Sequence, residues 1–405
     1  VCALACAAES PENVPTYRAD VAPIVEQSCL HCHGDEDPAH GVSLSSYASL
    51  RARGPRAREL VESGRMPKGG LDRSGTCGTF SGHASLTAED IAVFSRWVDG
   101  GMPEGTSARA PNPPESPSGD FATSQRSFVA HASVTLPEPY WPAADESGRT
   151  GDHRCFALSA SDVAGTPMSA FRVVPSAPEI VHHVLLFGLD TPADTAKASE
   201  LDESDPGPGW GCFGSSGVAG ARLLGAWAPG ASVVGLPPGF AVRLGTLGLV
   251  AQVHYDGPAA ERPDQTKLEL ETAGAGARDA TYLPFAATDL TLPPGRESVH
   301  VARVGALDLD RDALVLGLFP HMHALGRSLR LGASDARNGD RCLANVRRWD
   351  YRWQEVAFYV EAEDLPFGAL LSIDCEYSTL GVKSSVTWGE RAEDEMCMAF
   401  VIVGN

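Results

Sequence analysis

The sequence predicts a multidomain protein in which a small all-α domain precedes all-β sandwiches, and three observations predict it. Residues 14–105 hold a Cys-x-x-Cys-His motif and a helix-periodic run; Pro103 to Gly119 is dense in Pro, Ser and Gly; beyond it, short apolar runs alternate with Pro and Gly turns. A chain of 405 residues is too long for one hydrophobic core and predicts two to four domains. Hydrophobic residues make up 43% and charged residues 21%, the composition of a globular chain, and no apolar run approaches the length of a membrane-spanning helix. The formal net charge of −20 opposes binding to nucleic acid or anionic lipid, so the expected partners are neutral or cationic.

Ten cysteines, two of them in the Cys-x-x-Cys-His motif, argue for export, because structural disulfides persist in oxidising compartments. Residues 1–13 read as a signal remnant or flexible N-terminus. Ala-Leu-Ala-Cys6 weakly resembles a bacterial lipoprotein cleavage box, which would make Cys6 a lipid-anchored residue; the other reading is the leftover of an ordinary signal peptide. The expected location is the bacterial periplasm or outer surface.

The centre of residues 14–105 is Cys29-Leu-His-Cys32-His33. Two thiols at this spacing add to haem vinyl groups, and the adjacent His33 becomes the proximal iron ligand. A zinc knuckle would need a second ligand pair at matching spacing, which the chain lacks. Gly64-Arg-Met66-Pro67 resembles the methionine loop of the small class I cytochromes c, which makes Met66 the expected sixth ligand, with Met102 the runner-up. Leu86 to Val98 reads as the terminal helix: Thr87-Ala-Glu89-Asp90 caps it, and Ile91, Phe94, Trp97 and Val98 recur at helical spacing. That leaves Met102 at the helix exit. The Gly-, Ser- and Thr-rich stretch Leu71 to His83, containing Cys77, reads as an inserted loop of no legible role.

Residues 106–125 form the core of the expected linker. Downstream, Phe171 to Val174, Val184 to Leu189, Ala241 to Leu244, Leu249 to Tyr255, Lys267 to Thr272, Leu314 to Leu318, Ser328 to Leu331 and Leu370 to Tyr377 read as strands. Little there suggests a long amphipathic helix. Many short strands with regular turn signals imply β-sandwiches.

Histidines mark the chemistry of this part. Val181-His182-His183-Val184 opens a strand-like run, and two adjacent histidines converge on one metal only where a strand begins or bulges. Gln252-Val-His254-Tyr255, Pro320-His321-Met322-His323 and Glu395-Met396-Cys397 complete the set. On a strand, His321 and His323 would leave from the same face, suited to one soft or borderline metal. The four stretches propose two copper sites.

On these motifs, residues 126–405 resemble the type II copper-dependent (ascorbate-dependent) monooxygenases, the family of peptidylglycine alpha-hydroxylating monooxygenase and dopamine beta-monooxygenase. The resemblance implies one copper on His182, His183 and His254 and a second on His321, His323 and the Met396 thioether. His321, His323 and Met396 would then be the catalytic set, since a thioether favours Cu(I), the form that meets dioxygen. It also implies two successive all-β jelly-roll-like sandwiches, residues 126–284 and 285–405, behind a cytochrome c domain at 14–105. Cys375 and Cys397 resemble the family disulfide beside the methionine ligand, and Cys155 and Cys212 would bridge the first sandwich; Cys77 and Cys342 are left either free or paired with each other.

The implied reaction is hydroxylation of a C–H bond of a small organic substrate with O2, with electrons supplied by ascorbate or an external redox protein through the fused haem. In the peptide-hydroxylating members, an arginine before the His-x-His motif and polar residues after the methionine grip a carboxylate. Here Phe319 precedes the motif and Met398 and Phe400 follow Met396, so an apolar or aromatic substrate is expected. The alternative function is an exported haem and copper electron carrier without oxygenase activity. A histidine-ligated iron or zinc hydrolase lacks the carboxylate its cluster would need. Whether the two coppers face each other across an open cleft or approach closely is not legible in spacing.

Overall fold

The computed structural model describes residues 14–35, 41–67, 70–73, 75–81, 86–106, 128–144, 148–229, 231, 233–351, 354–389, 391 and 393–405. The signal remnant with Cys6, and all but the first residue of the expected 106–125 linker, lie outside them. The chain divides into two compact units: residues 1–68 with 83–118, and residues 69–82 with 119–405.

The first unit is helical. Its main helices are Ala22–Ser28, Leu30–His33, Tyr47–Arg51, Gly54–Glu62 and Ala88–Asp99. Thr87 and Asp90 cap the last of these reciprocally, each side chain accepting the other's backbone N–H, as the sequence leads one to expect. That helix turns Phe94 and Trp97 inward, where they pack with Val21, Val25, Leu44, Leu50 and Val61. The Trp97 indole donates to the Pro103 carbonyl at 3.0 Å, which satisfies the one polar atom of a fully buried ring.

The second unit is built of sheets. All eight expected strands are present, with Lys267–Thr272 and Leu370–Tyr377 at the expected bounds. A five-stranded sheet carries Arg149–Leu158, Val181–Leu189 and Gly248–Pro258; a four-stranded sheet carries Val299–Ala306, Gly326–Asp335 and Leu370–Tyr377. A nine-stranded sheet is common to both halves. One core joins Phe156, Leu186 and Val250 of the five-stranded sheet to Phe171 and Leu268 of the nine-stranded one. The other joins Leu329 and Ile373 of the four-stranded sheet to Val315 and Val401.

The expected junction near residue 284 falls inside the strand Arg278–Ala286. Its first two residues pair with Phe240 and Ala241, and the rest pair with Met398–Gly404. One sheet therefore passes from half to half without a break. A helix at Pro192–Ser204 stands among the strands; it is not amphipathic, so the expectation of little long amphipathic helix in this part is not overturned. Periodicity missed it because it buries little more than Asp194 and Ala198; Thr191, Pro192 and Asp194 supply its start signal instead.

Of the stretch Leu71 to His83, opaque in sequence and expected within the 14–105 domain, all but His83 belongs instead to the second unit. Leu71 bridges to Val346 and Phe80 to Tyr359, both strap residues joining the second core. The Phe80 and Tyr359 rings stack at 4.6 Å. Gly78, at φ +85°, lies so close to Tyr359 that a Cβ would meet the ring at 2.5 Å, so only glycine fits. Cys77 and Cys342 are bonded, which resolves the pair left open by sequence, and Cys155–Cys212 and Cys375–Cys397 are bonded as the resemblance implies.

The Cys77–Cys342 bridge closes a loop of 265 residues. Chain entropy puts its contribution at up to about 5 kcal/mol. The Cys77→Ser, Cys342→Ser protein is expected to lose a large part of that in denaturant unfolding; an unchanged midpoint would show that the strap is held by its packing alone.

Candidate metal centres

The first histidine group is built by a bulge. Val181 pairs with Tyr255 and His183 with His254, so His182 is the extra residue between two consecutive partners. A bulge turns neighbouring side chains toward one side, which an even pleat forbids. The Nδ1 atoms of His182 and His183 lie 3.4 Å apart, and those of His183 and His254 lie 3.3 Å apart. His183 and His254 are buried. Burial first, and then the neighbouring His182 and His183 respectively, hold both rings well below the ordinary histidine pKa. Neutral imidazoles with converging lone pairs are what a metal ion requires.

His153 joins this group unannounced. It sits directly opposite His254 in the ladder between Arg149–Leu158 and Gly248–Pro258. Its ring stacks on that of His254 at 3.8 Å and 10°. One ring nitrogen from each of His153, His183 and His254 falls within a 4.8 Å set that contains no carboxylate. Burial, then His182, His323 and His321, push the His153 pKa down to about 3.

The second group forms where the strand Ala313–His321 ends. His323 therefore lies just past the strand, and the same-face argument from alternation does not apply to it. The two rings nonetheless come together, with centroids 5.2 Å apart. His321 Nδ1 meets Gln354 Oε1 at 2.7 Å, and His323 Nδ1 meets the Asp394 carbonyl at 2.9 Å. Both partners are acceptors, so each Nδ1 carries the proton and each Nε2 presents its lone pair. The Nε2 of His321 is shielded from solvent and has no hydrogen-bond partner, the position of a metal-binding nitrogen.

The segment that carries Met396 is tied to the loop bearing His323 by Glu395. Glu395, 1% exposed, accepts the backbone N–H of His323 at 2.9 Å and of Leu325 at 2.6 Å. Burial pushes its carboxyl up to about 7, against the lowering effect of the N–H groups of Leu325, His323 and Met396. Tyr377 donates its hydroxyl to the Met396 carbonyl at 2.7 Å, and Cys397 is tied to Cys375. The Trp349 indole donates to the His323 carbonyl at 3.0 Å. Sequence reading quotes Glu395 in its motif without giving it a task and misses Gln354, His153 and Phe213 altogether. Only Glu395, the carboxylate immediately before Met396, left a signal. Phe319, expected beside a substrate, is buried and stacked on Phe400 at 6.1 Å.

In the first unit, Cys29 opens the turn Leu30–His33 that carries Cys32 and His33, and neither cysteine is in a disulfide. Burial pushes the Cys29 thiol up to about 11. His33 Nδ1 lies 2.8 Å from the Val42 carbonyl, which leaves Nε2 as the lone-pair nitrogen. Met66 and Met102 both pack against the helical core. The Met102 sulfur is wedged on Gly54, where a Cβ would stand 2.4 Å from it, while the Met102 carbonyl accepts the Tyr47 hydroxyl.

Comparison with known proteins bears on the second unit. The chain is 26% identical over 234 residues to the peptidylglycine alpha-amidating monooxygenase of Rattus norvegicus, covering 55% of this chain and 22% of that protein. It is 25% identical over 251 residues to the DBH-like monooxygenase protein 1 of Gallus gallus, covering 55% and 39%. The chain thus spans well under half the length of these relatives. Among solved structures, the infectious bursal disease virus VP2 subviral particle aligns at 12% identity over 68% of this chain and 72% of that one, with a TM-score of 0.17, too slight a likeness to bear on the fold. Residues 282–403, which hold His321, His323 and Met396, match the family described as copper type II ascorbate-dependent monooxygenase, C-terminal domain. The relatives are named as monooxygenases and the family as copper-dependent, and the matches support that family for this chain, the likeness of residues 282–403 being to its C-terminal domain.

Proposed function

We propose that this protein is an exported copper monooxygenase that hydroxylates a C–H bond of an apolar or aromatic small molecule, with electrons delivered through a haem c in its helical unit. What carries the reading is the presence of two donor groups of unlike chemistry in one unit. His182, His183 and His254 offer three Nδ1 atoms, two of them on buried rings, and His321, His323 and Met396 offer two Nε2 atoms and a thioether. Bound copper ions would supply the one-electron and dioxygen chemistry, the thioether site favouring Cu(I).

The chain's own residues hold and orient. Gln354 and the Asp394 carbonyl fix the tautomers of His321 and His323, and Glu395 fixes the loop between them. Phe319, Met398 and Phe400 put no cation where the peptide-hydroxylating relatives grip a carboxylate. A carboxylate placed there would be desolvated without a charged partner, at a cost of several kcal/mol. This supports an apolar or aromatic substrate and speaks against peptides ending in glycine.

In the helical unit, Cys29 and Cys32 would carry the haem thioethers and His33 the proximal ligand, its ring aimed by Val42. Met66 is the better sixth ligand, since the Met102 sulfur is packed on Gly54. The two units share one chain that passes between them at 68–69, 82–83 and 118–119, which sets an effective donor concentration on the order of millimolar. The net charge of −20 disfavours anionic ascorbate as the direct donor. Three disulfides fit an oxidising compartment, and among the described residues no helix is long and apolar enough to cross a membrane.

The test is the holoprotein itself. It is expected to contain one covalent haem and two coppers, to bind carbon monoxide at the thioether copper when reduced, and to consume oxygen with aromatic or aliphatic substrates but not with acylglycine peptides. In stopped-flow mixing, haem oxidation should track copper reduction at a rate independent of protein concentration. Carbon monoxide binding without substrate-dependent oxygen uptake across the panel would favour the electron carrier.

A further inference from the structure

The two donor groups are joined by an unbroken series of ring contacts. His153 lies flat on His254 at 3.8 Å; Phe213 meets His153 at 4.3 Å and 63°; Phe213 then meets His323 at 5.0 Å and 87°. Each spacing is van der Waals contact between rings and leaves no room for water between neighbours. The series begins on a nitrogen donor of the first group and ends on a nitrogen donor of the second.

The fold builds both middle members. His153 is fixed by its place opposite His254 in the ladder. Trp210–Gly211 pairs with Cys155 and Arg154, the Cys212 N–H donates to the His153 carbonyl at 3.0 Å, and Cys212 is bonded to Cys155. Those three ties set down the next residue, Phe213, against the His153 ring. His153 itself is not a ligand alongside His254 in this arrangement. With the rings parallel to within 10°, their in-plane lone pairs do not converge on one point.

We propose that His153 and Phe213 are positioning residues: a packed aromatic bridge that holds the two metal centres at one fixed separation and keeps water out of the gap. The inference rests on the two-copper reading above and goes beyond it, because neither residue is a ligand in that reading. It also addresses the question that spacing left open, in favour of close approach over an open cleft.

The test is the dipolar coupling between the two Cu(II) ions, read by EPR on the fully oxidised, copper-loaded protein. The wild type is expected to show one resolved splitting. Phe213→Ala, which keeps the Cys155–Cys212 anchor, and His153→Ala, which cuts the series at its other joint, should each retain two coppers and lose that splitting. Phe213→Tyr and His153→Phe keep a ring at each place and should preserve it. A wild-type splitting that survives in both alanine variants, or a two-copper wild type with no resolved splitting, overturns the bridge alone. A wild type holding fewer than two coppers overturns the two-copper reading and the bridge with it.

Discussion

His321→Ala is expected to hold about one copper where the wild type holds two, and to lose substrate-dependent oxygen uptake by at least about a thousandfold, some 4 kcal/mol of barrier. His321 presents the solvent-shielded Nε2 of the second group, and without it one imidazole and a thioether make an incomplete site. The first group should keep its copper, because its three Nδ1 atoms are held by a separate bulge between Val181–Leu189 and Gly248–Pro258. The haem spectrum should not change. Copper analysis, EPR and oxygen uptake on one preparation check all three parts, and full activity would sink the assignment of His321. Met396→Ala should weaken copper retention at the same site.

Glu395→Ala is expected to cost both stability and copper. It removes the acceptor for the buried N–H of His323 and the part-buried N–H of Leu325, in a side chain that is 1% exposed. At about 1–3 kcal/mol for each unsatisfied donor, the loss should be about 3 kcal/mol. For a unit of this size that is a fall in Tm of about 5 °C. Glu395→Gln keeps one carbonyl oxygen and should lose less. Because the same carboxylate ties the His-x-His loop to the segment bearing Met396, affinity for the second copper should drop by roughly 10- to 100-fold. Calorimetry and a competitive copper titration measure the two effects. A protein that melts and binds as the wild type does would remove Glu395 from any tethering role.

Much of the architecture was legible because it is written in short-range pattern. Short apolar runs bounded by Pro and Gly turns marked the strands, and Thr87 with Asp90 marked the start of the Ala88–Asp99 helix. The helix at Pro192–Ser204 was missed since it lies on the surface with almost nothing buried, so it has no apolar stripe to betray it. The candidate ligands were legible for a different reason: paired histidines, His-x-His and a methionine beside a cysteine are rare combinations of residue types that bind metals.

What sequence alone determined, then, was which residues could form strands and which side chains have lone pairs to give. Both are properties of neighbours along the chain. Tertiary structure decided everything that depends on partners far apart in it. It bonded Cys77 to Cys342 across 265 residues by laying Gly69–Gly82 into the second unit. It made His182 a bulge through the register against Tyr255 and His254, and it oriented His321 and His323 through Gln354 and Asp394. It set Phe213 between His153 and His323, residues 60 positions before and 110 after it, and no local pattern records such a meeting. The physical reason is that register, ring contact and hydrogen-bond direction are fixed only when sheets pack, whereas propensity and ligand chemistry belong to each residue before it folds.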